Sequence, residues 1–227
     1  MARPNKGKIR ANDAYLKEWD EFQATHRSHV PILLPISISI EDGIIARDRI
    51  KSDEIALWRK QFLKEFKHHC ADSEKHLGGA YSVETFETML DEYIEAFASD
   101  ADQGPRPASP LDFSITRPVW FLFHLPRKNW NFTKSRQYSM ENDRDDHLRN
   151  CEKVCTLDGN NFLLLSNNCR SAPKGLKYNL HVTIAQKEGR KKISTDIIID
   201  PGIDNALGDP PPPPLSLIHI SEPTRPY

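Results

Sequence analysis

The sequence lacks most of the signatures by which a function is read directly. It has no glycine-rich phosphate loop, no G-x-S-x-G elbow, no H-E-x-x-H helix and no C-x-x-C pair, which removes the usual motif-level cases for nucleotide hydrolysis, serine hydrolysis and zinc chemistry. No apolar run approaches the ~20 residues of a membrane-spanning helix, and the basic start, Met1 to Arg10, is followed by no hydrophobic segment of a secretory signal. Four cysteines (Cys70, Cys151, Cys155, Cys169) in 227 residues are too sparse for a disulfide framework. Reduced thiols and a cytoplasmic, non-membrane setting are therefore expected. There is no internal repeat.

What is present is clearest between Leu176 and Asn205. Leu176, Tyr178, Leu180, Val182 and Ile184 alternate with Lys177, Asn179, His181 and Thr183, the period of a half-buried strand. After Lys187-Glu188-Gly189-Arg190-Lys191, read as a longer hairpin loop, the apolar set resumes at Ile193, Ile197 and Ile199, with Thr195 in phase and Ile198 on the polar side. Asp200-Pro201-Gly202 then reads as a turn that stops the strand.

The rest of the chain divides around a proline-rich stretch. Residues 1–11 read as a disordered basic arm. Residues 12–103 read as a mainly helical region that includes an extended piece, Pro31 to Ile40. One helix begins at Ser52, a good N-cap, with Ile55, Trp58, Phe62 and Phe66 at helical spacing. A second follows the cap Ser82, with Val83, Phe86, Leu90, Tyr93 and Phe97 as its apolar stripe and an acidic outer face, and the two are expected to pack antiparallel. Residues 104–110 (GPRPASP) read as a linker, since prolines block a helix. From 111 to 205, five or more short strands separated by turn signals predict an antiparallel β-sandwich, including the buried strand Trp120 to Leu125 and the strand Phe162 to Leu165. The fold class expected is α+β. Residues 206–227 read as a disordered tail; within it, 215–227 resembles the in-frame translation of a transposase sequencing adaptor and reads as a metagenomic artefact.

Charge is uneven along the chain. Residues 12–103 hold 10 basic and 19 acidic residues, whereas 112–200 hold 15 basic and 10 acidic. The basic half could meet the acidic half, or an anionic partner. The strip Arg127, Lys128, Trp130, Phe132, Lys134 and Arg136 interleaves cations with aromatics, as a single-stranded nucleic-acid site does, where rings stack on bases and cations meet phosphates. The competing reading anchors Trp130 and Phe132 in the core. His147, Cys151 and Cys155 would share one helix face and could hold zinc, or the cysteines could be small buried hydrophobes. His68, His69, Cys70 and His76 suit a helix C-terminus without function. Glu141 to Asp146, or Asp200 with Asp204 and Asn205, could offer oxygens to Ca²⁺ or be solvated loops. Neither a metal site nor a cofactor is assigned, and no catalytic constellation emerges.

The segments HLPRKNWNFTKSRQYS, ENDRDDHLRNCEKVCTLD and GLKYNLHVTI…DIIIDPGIDN, between His124 and Asn205, resemble an uncharacterised family of small bacterial proteins whose members often carry the label "nucleotide synthetase". The hairpin and its IIIDPGIDN ending are also similar to inclusion-body proteins of the AidA/PixA type, which implies a β-sandwich. The expected function is a bacterial, non-enzymatic binding or structural module. A nucleic-acid-binding protein and a nucleotide-handling enzyme are the alternatives.

Overall fold

The computed structural model describes residues 21, 22, 24, 31–41, 44–73, 82–99, 113–140, 151–169, 176–188, 191–199 and 202–205. The basic arm 1–11, the stretch 104–110, the tail 206–227, His76, His147, Glu141 to Asp146 and Asp200 lie outside them.

Two helices come from the first hundred residues. Helix α1 spans Ser52–Ser73 and α2 spans Val83–Ala96. The apolar positions at helical spacing become the buried stripe: Ile55, Phe62 and Phe66 on α1, and Phe86, Met89, Leu90 and Tyr93 on α2. Ser82 caps α2 as expected, its hydroxyl accepting from the Thr85 N–H at 3.0 Å. The Ser52 hydroxyl donates to the Phe97 carbonyl at 2.7 Å. That bond joins the start of α1 to the end of α2. Phe66 packs on Phe86 with ring centroids 4.6 Å apart, and Arg59 reaches both Glu87 and Asp91. The helices are thus antiparallel neighbours.

The strands form two sheets. The first has the order β2-β1-β4-β8-β7, where β1 is Ile32–Glu41, β2 Ile44–Arg49, β4 Val119–His124, β7 Cys151–Leu157 and β8 Phe162–Asn167. The second has the order β10-β9-β11-β3, with β5 and β6 also pairing along β9. Here β3 is Phe113–Ile115, β5 Trp130–Phe132, β6 Tyr138–Met140, β9 Leu176–Glu188, β10 Lys191–Ile199 and β11 Gly202–Asn205.

Among the described residues the architecture is mixed α/β, with two helices and two sheets. The strands of 111–205 are not all antiparallel, as the expected sandwich would have them. β1 lies parallel to β4, with Ile32 opposite Val119, and β11 lies parallel to β3. A parallel pair needs a crossover connection, and α1 and α2 lie in the segment between β1 and β4. The extended piece expected at Pro31 to Ile40 is β1, and with β2 it joins β4, β8 and β7 in one sheet. Alternation along β4 decides what each face of that sheet meets. Trp120 lies against Phe66 and Phe86, and His124 against Trp58, both on the helices' side. Phe121 and Phe123 point the other way, onto Phe113 of β3 and, for Phe123, Tyr178 of β9. A single core cluster runs from Phe22 to Ile199, and each fully buried large apolar side chain in it is worth about 1.5–3 kcal/mol.

The hairpin also differs in detail. Pairing continues to Lys191 opposite Glu188, leaving two residues between the arms, so the strands are longer and the connection shorter than the sequence suggested. The register of β10 on β9 (Ile199 opposite Leu180) is kept by β11 (Gly202 opposite Lys177). Pairing therefore resumes after Asp200-Pro201, and the expected stop is an interruption within one arm.

Candidate functional site

Antiparallel pairing with β9 decides the fate of the basic-aromatic strip. β5 places Trp130 opposite Ile184 and Phe132 opposite Val182, so both rings share the apolar face of β9. Trp130 is 5% exposed and Phe132 is fully buried. Base stacking needs an open ring face, which neither offers, so that role is withdrawn for both. The four cations behave differently: Arg127, Lys128, Lys134 and Arg136 are all exposed. The Arg127 guanidinium carbon lies 5.0 Å from the Trp130 ring centroid, close enough for a cation–π contact.

The loop after β5 is tied down at both ends by one residue of β9. The Thr133 N–H donates to the His181 carbonyl at 2.9 Å, and the His181 N–H donates to the Gln137 carbonyl at 3.0 Å. Inside the loop, Gln137 Nε2 donates to the Lys134 carbonyl at 2.7 Å, while Gln137 Oε1 accepts from Lys153 Nζ at 3.1 Å. Lys134, Ser135 and Arg136 thus project from a short, braced arch. Under it, Ser139 Oγ and His181 Nε2 are 2.8 Å apart, and either can donate, depending on the imidazole tautomer. Beside them Thr183 donates its hydroxyl to Asp196 Oδ1 at 2.6 Å and lies 2.9 Å from the Thr133 hydroxyl.

The His181 pKa is pushed below the ordinary histidine value. Partial burial is the main cause and the positive field of Arg136 adds to it, while Asp196 pulls the other way. The imidazole is therefore neutral at pH 7. Ser139, His181 and Asp196 have the composition of a hydroxyl–base–carboxylate set, but here the carboxylate is engaged by Thr183. Lys134 and Arg136 on the braced arch, with Arg136 near enough to act on the imidazole, are chemically suited to holding an anion through charge-assisted hydrogen bonds. Ser139 and His181 were missed in the sequence because they lie 42 residues apart. Only the pairing of Ser139 with Asn179 brings them together.

A second polar group sits where α1 meets the first sheet. His124 stacks on Phe162 at 4.3 Å and 7°, with Trp58 edge-on to both rings. Burial lowers the His124 pKa to about 4, against a smaller opposing pull from Asp158. Glu65 of α1 accepts from the Asp158 N–H at 2.8 Å, and Gln61 bridges Glu65 and Asp158. Asp158, Gly159 and Asn160 all have positive φ (46°, 63° and 75°). These bonds brace that tight turn between β7 and β8, a structural role.

The metal readings fare differently. Cys151 and Cys155 belong to a strand with a register shift between Lys153 and Cys155, so helical spacing does not gather them. Burial pushes the Cys155 thiol up, away from the thiolate a metal needs. His68, His69 and Cys70 do lie on α1. Asp204 and Asn205 lie in β11, paired with β3. Among the described residues, no group of three or more His, Cys, Asp or Glu is placed to hold a metal ion. No described helix is long and apolar enough to cross a membrane. Comparison with protein-family models, with curated proteins and with solved structures finds no match to this chain.

Proposed function

We propose that this chain is a non-enzymatic binding module that takes an anionic partner on the 127–136 loop and the adjoining polar face of β9. The observation that carries the reading is the braced arch. Arg127, Lys128, Lys134 and Arg136 are exposed, and both ends of the Thr133–Gln137 segment bond to the His181 backbone. Lys134 and Arg136 lie on that segment, and cations held in place recognise an anion at lower entropic cost than cations on a free loop. The nucleic-acid reading survives in narrower form, as contact with phosphates and not with bases. Nucleotide phosphates belong to the same chemical class, in keeping with the label of the family that 124–205 resembles.

Titrating the protein with a single-stranded oligonucleotide and with inorganic polyphosphate, each at two salt concentrations, tests this. For the single strand, affinity is expected to fall by ~0.7 log units per phosphate contact for each log unit of salt, without dependence on base sequence. Replacing Arg127, Lys128, Lys134 and Arg136 together with Gln is expected to abolish that binding and leave the melting temperature within a few degrees. Because His181 is neutral at pH 7, acidification adds a positive charge at the arch. Affinity should therefore rise as the pH falls through and below the ordinary histidine value, and His181→Gln should remove that rise. Absence of binding to either anion at low salt, or binding that survives the fourfold replacement, overturns the proposal.

A further inference from the structure

Among the described residues β10 hydrogen-bonds to β9 alone, while β11, which continues the same hairpin arm, is covered by β3. Ser194, Thr195 and Asp196 are exposed, as are two large apolar residues of the arm, Ile193 (41%) and Ile198 (63%). An exposed edge with apolar side chains is a template for strand addition, and β3 limits the open length to the nine residues of β10.

Charge order along that edge specifies what fits. The run Lys192-Ile193-Ser194-Thr195-Asp196 is self-complementary when a second β10 lies antiparallel with Ser194 opposite itself. In that register position 192 of each copy faces position 196 of the other. Lysine meets aspartate twice, and Ile193 meets Thr195 on the opposite face. Within its own hairpin, Lys192 stands opposite Lys187 in the backbone register. We infer that β10 is a self-association edge, on which two copies of this chain pair antiparallel about a two-fold axis at Ser194. The symmetry is closed, since a two-fold contact uses the same patch on both copies and propagates no further.

Sedimentation of the full chain over a range of concentrations, at low and high salt, provides the first test. A monomer–dimer equilibrium weakened by salt is expected, and a strictly monomeric chain overturns the inference. Lys192→Asp supplies the second test. Position 192 lies in the strand opposite position 187, and the melting temperature of the variant is to be compared with the parent's as a check that it folds. In the dimer the substitution sets the introduced carboxylate of each copy against Asp196 of the other, so both pairs become like-charged. Self-association should weaken about tenfold or more. Asp196→Lys is expected to do the same with lysines. Mixing the two variants restores both opposite-charge pairs, so a heterodimer should appear in native mass spectra of the mixture where neither variant alone dimerises. Self-association of Lys192→Asp as strong as the parent's, or a mixture that stays monomeric, would refute the register and the interface with it.

Discussion

At the scale of single residues, the fold's most telling feature is how it treats histidine. His124 sits at the end of a central strand between Trp58 and Phe162, and its imidazolium form is disfavoured because burial removes the water that would solvate the charge. Its folded pKa of about 4 lies well below the ordinary value of 6.5. Between those two values the unfolded chain binds a proton that the folded chain refuses. Stability is therefore expected to fall as the pH drops from 6.5 towards 4, and this contribution levels off below that. Allowing for the partial exposure of the ring, the loss is about 2–3 kcal/mol. His124→Phe keeps the stacking and removes the proton. Its urea midpoint should change less between pH 7 and pH 5 than the parent's, and an identical change in both proteins would show that other groups govern the acid response.

Elements show what the sequence made legible and what it did not. Period-two alternation in β9 and helical periodicity in α1 and α2 were readable, because each pattern records which side faces a core. The apolar face of β9 is the predicted one, with Tyr178, Leu180 and Val182 buried. Sheet partners were not readable. Pairing of β1 with β4 joins residues more than 80 positions apart, and alternation marks a face without naming the neighbouring strand. The roles of the two rings in the 127–136 strip were ambiguous for a related reason. Its cations and aromatics suit a nucleic-acid surface or an anchored loop equally well, and the choice depends on β5 pairing with β9. That pairing has a measurable consequence. Trp130→Ala should cost about 3–5 kcal/mol of unfolding free energy, as a large-to-small core change. Anion affinity should be retained at temperatures where the variant is still folded. A stable variant that has lost its affinity would instead mean that the ring contacts the ligand.

The whole molecule sets a limit on how the chain can be divided. Composition places a boundary at residues 104–110, where prolines break regular structure. Hydrogen bonding crosses it: β1 and β2 precede the boundary, β4, β8 and β7 follow it, and all five share one sheet. Aromatic contacts cross it as well, since Phe66 and Phe86 of the helices lie against Trp120, and Trp58 and Phe62 against Phe162. A fragment beginning at residue 111 would therefore expose one face of β4 and β8 to water and lose β1, the parallel neighbour of β4. At about 1.5–3 kcal/mol for each large side chain uncovered, losing the cover over Trp120, Leu122, Phe162 and Leu164 would rival the 5–15 kcal/mol that a whole domain has in reserve. Proteolysis near Arg106 is thus expected to leave two pieces that stay associated through gel filtration and separate only in denaturant. The 111–205 piece produced alone should bind a hydrophobic dye and show no cooperative melting. A cooperative transition in that isolated piece would mean that the second sheet and the remaining strands of the first hold a core of their own.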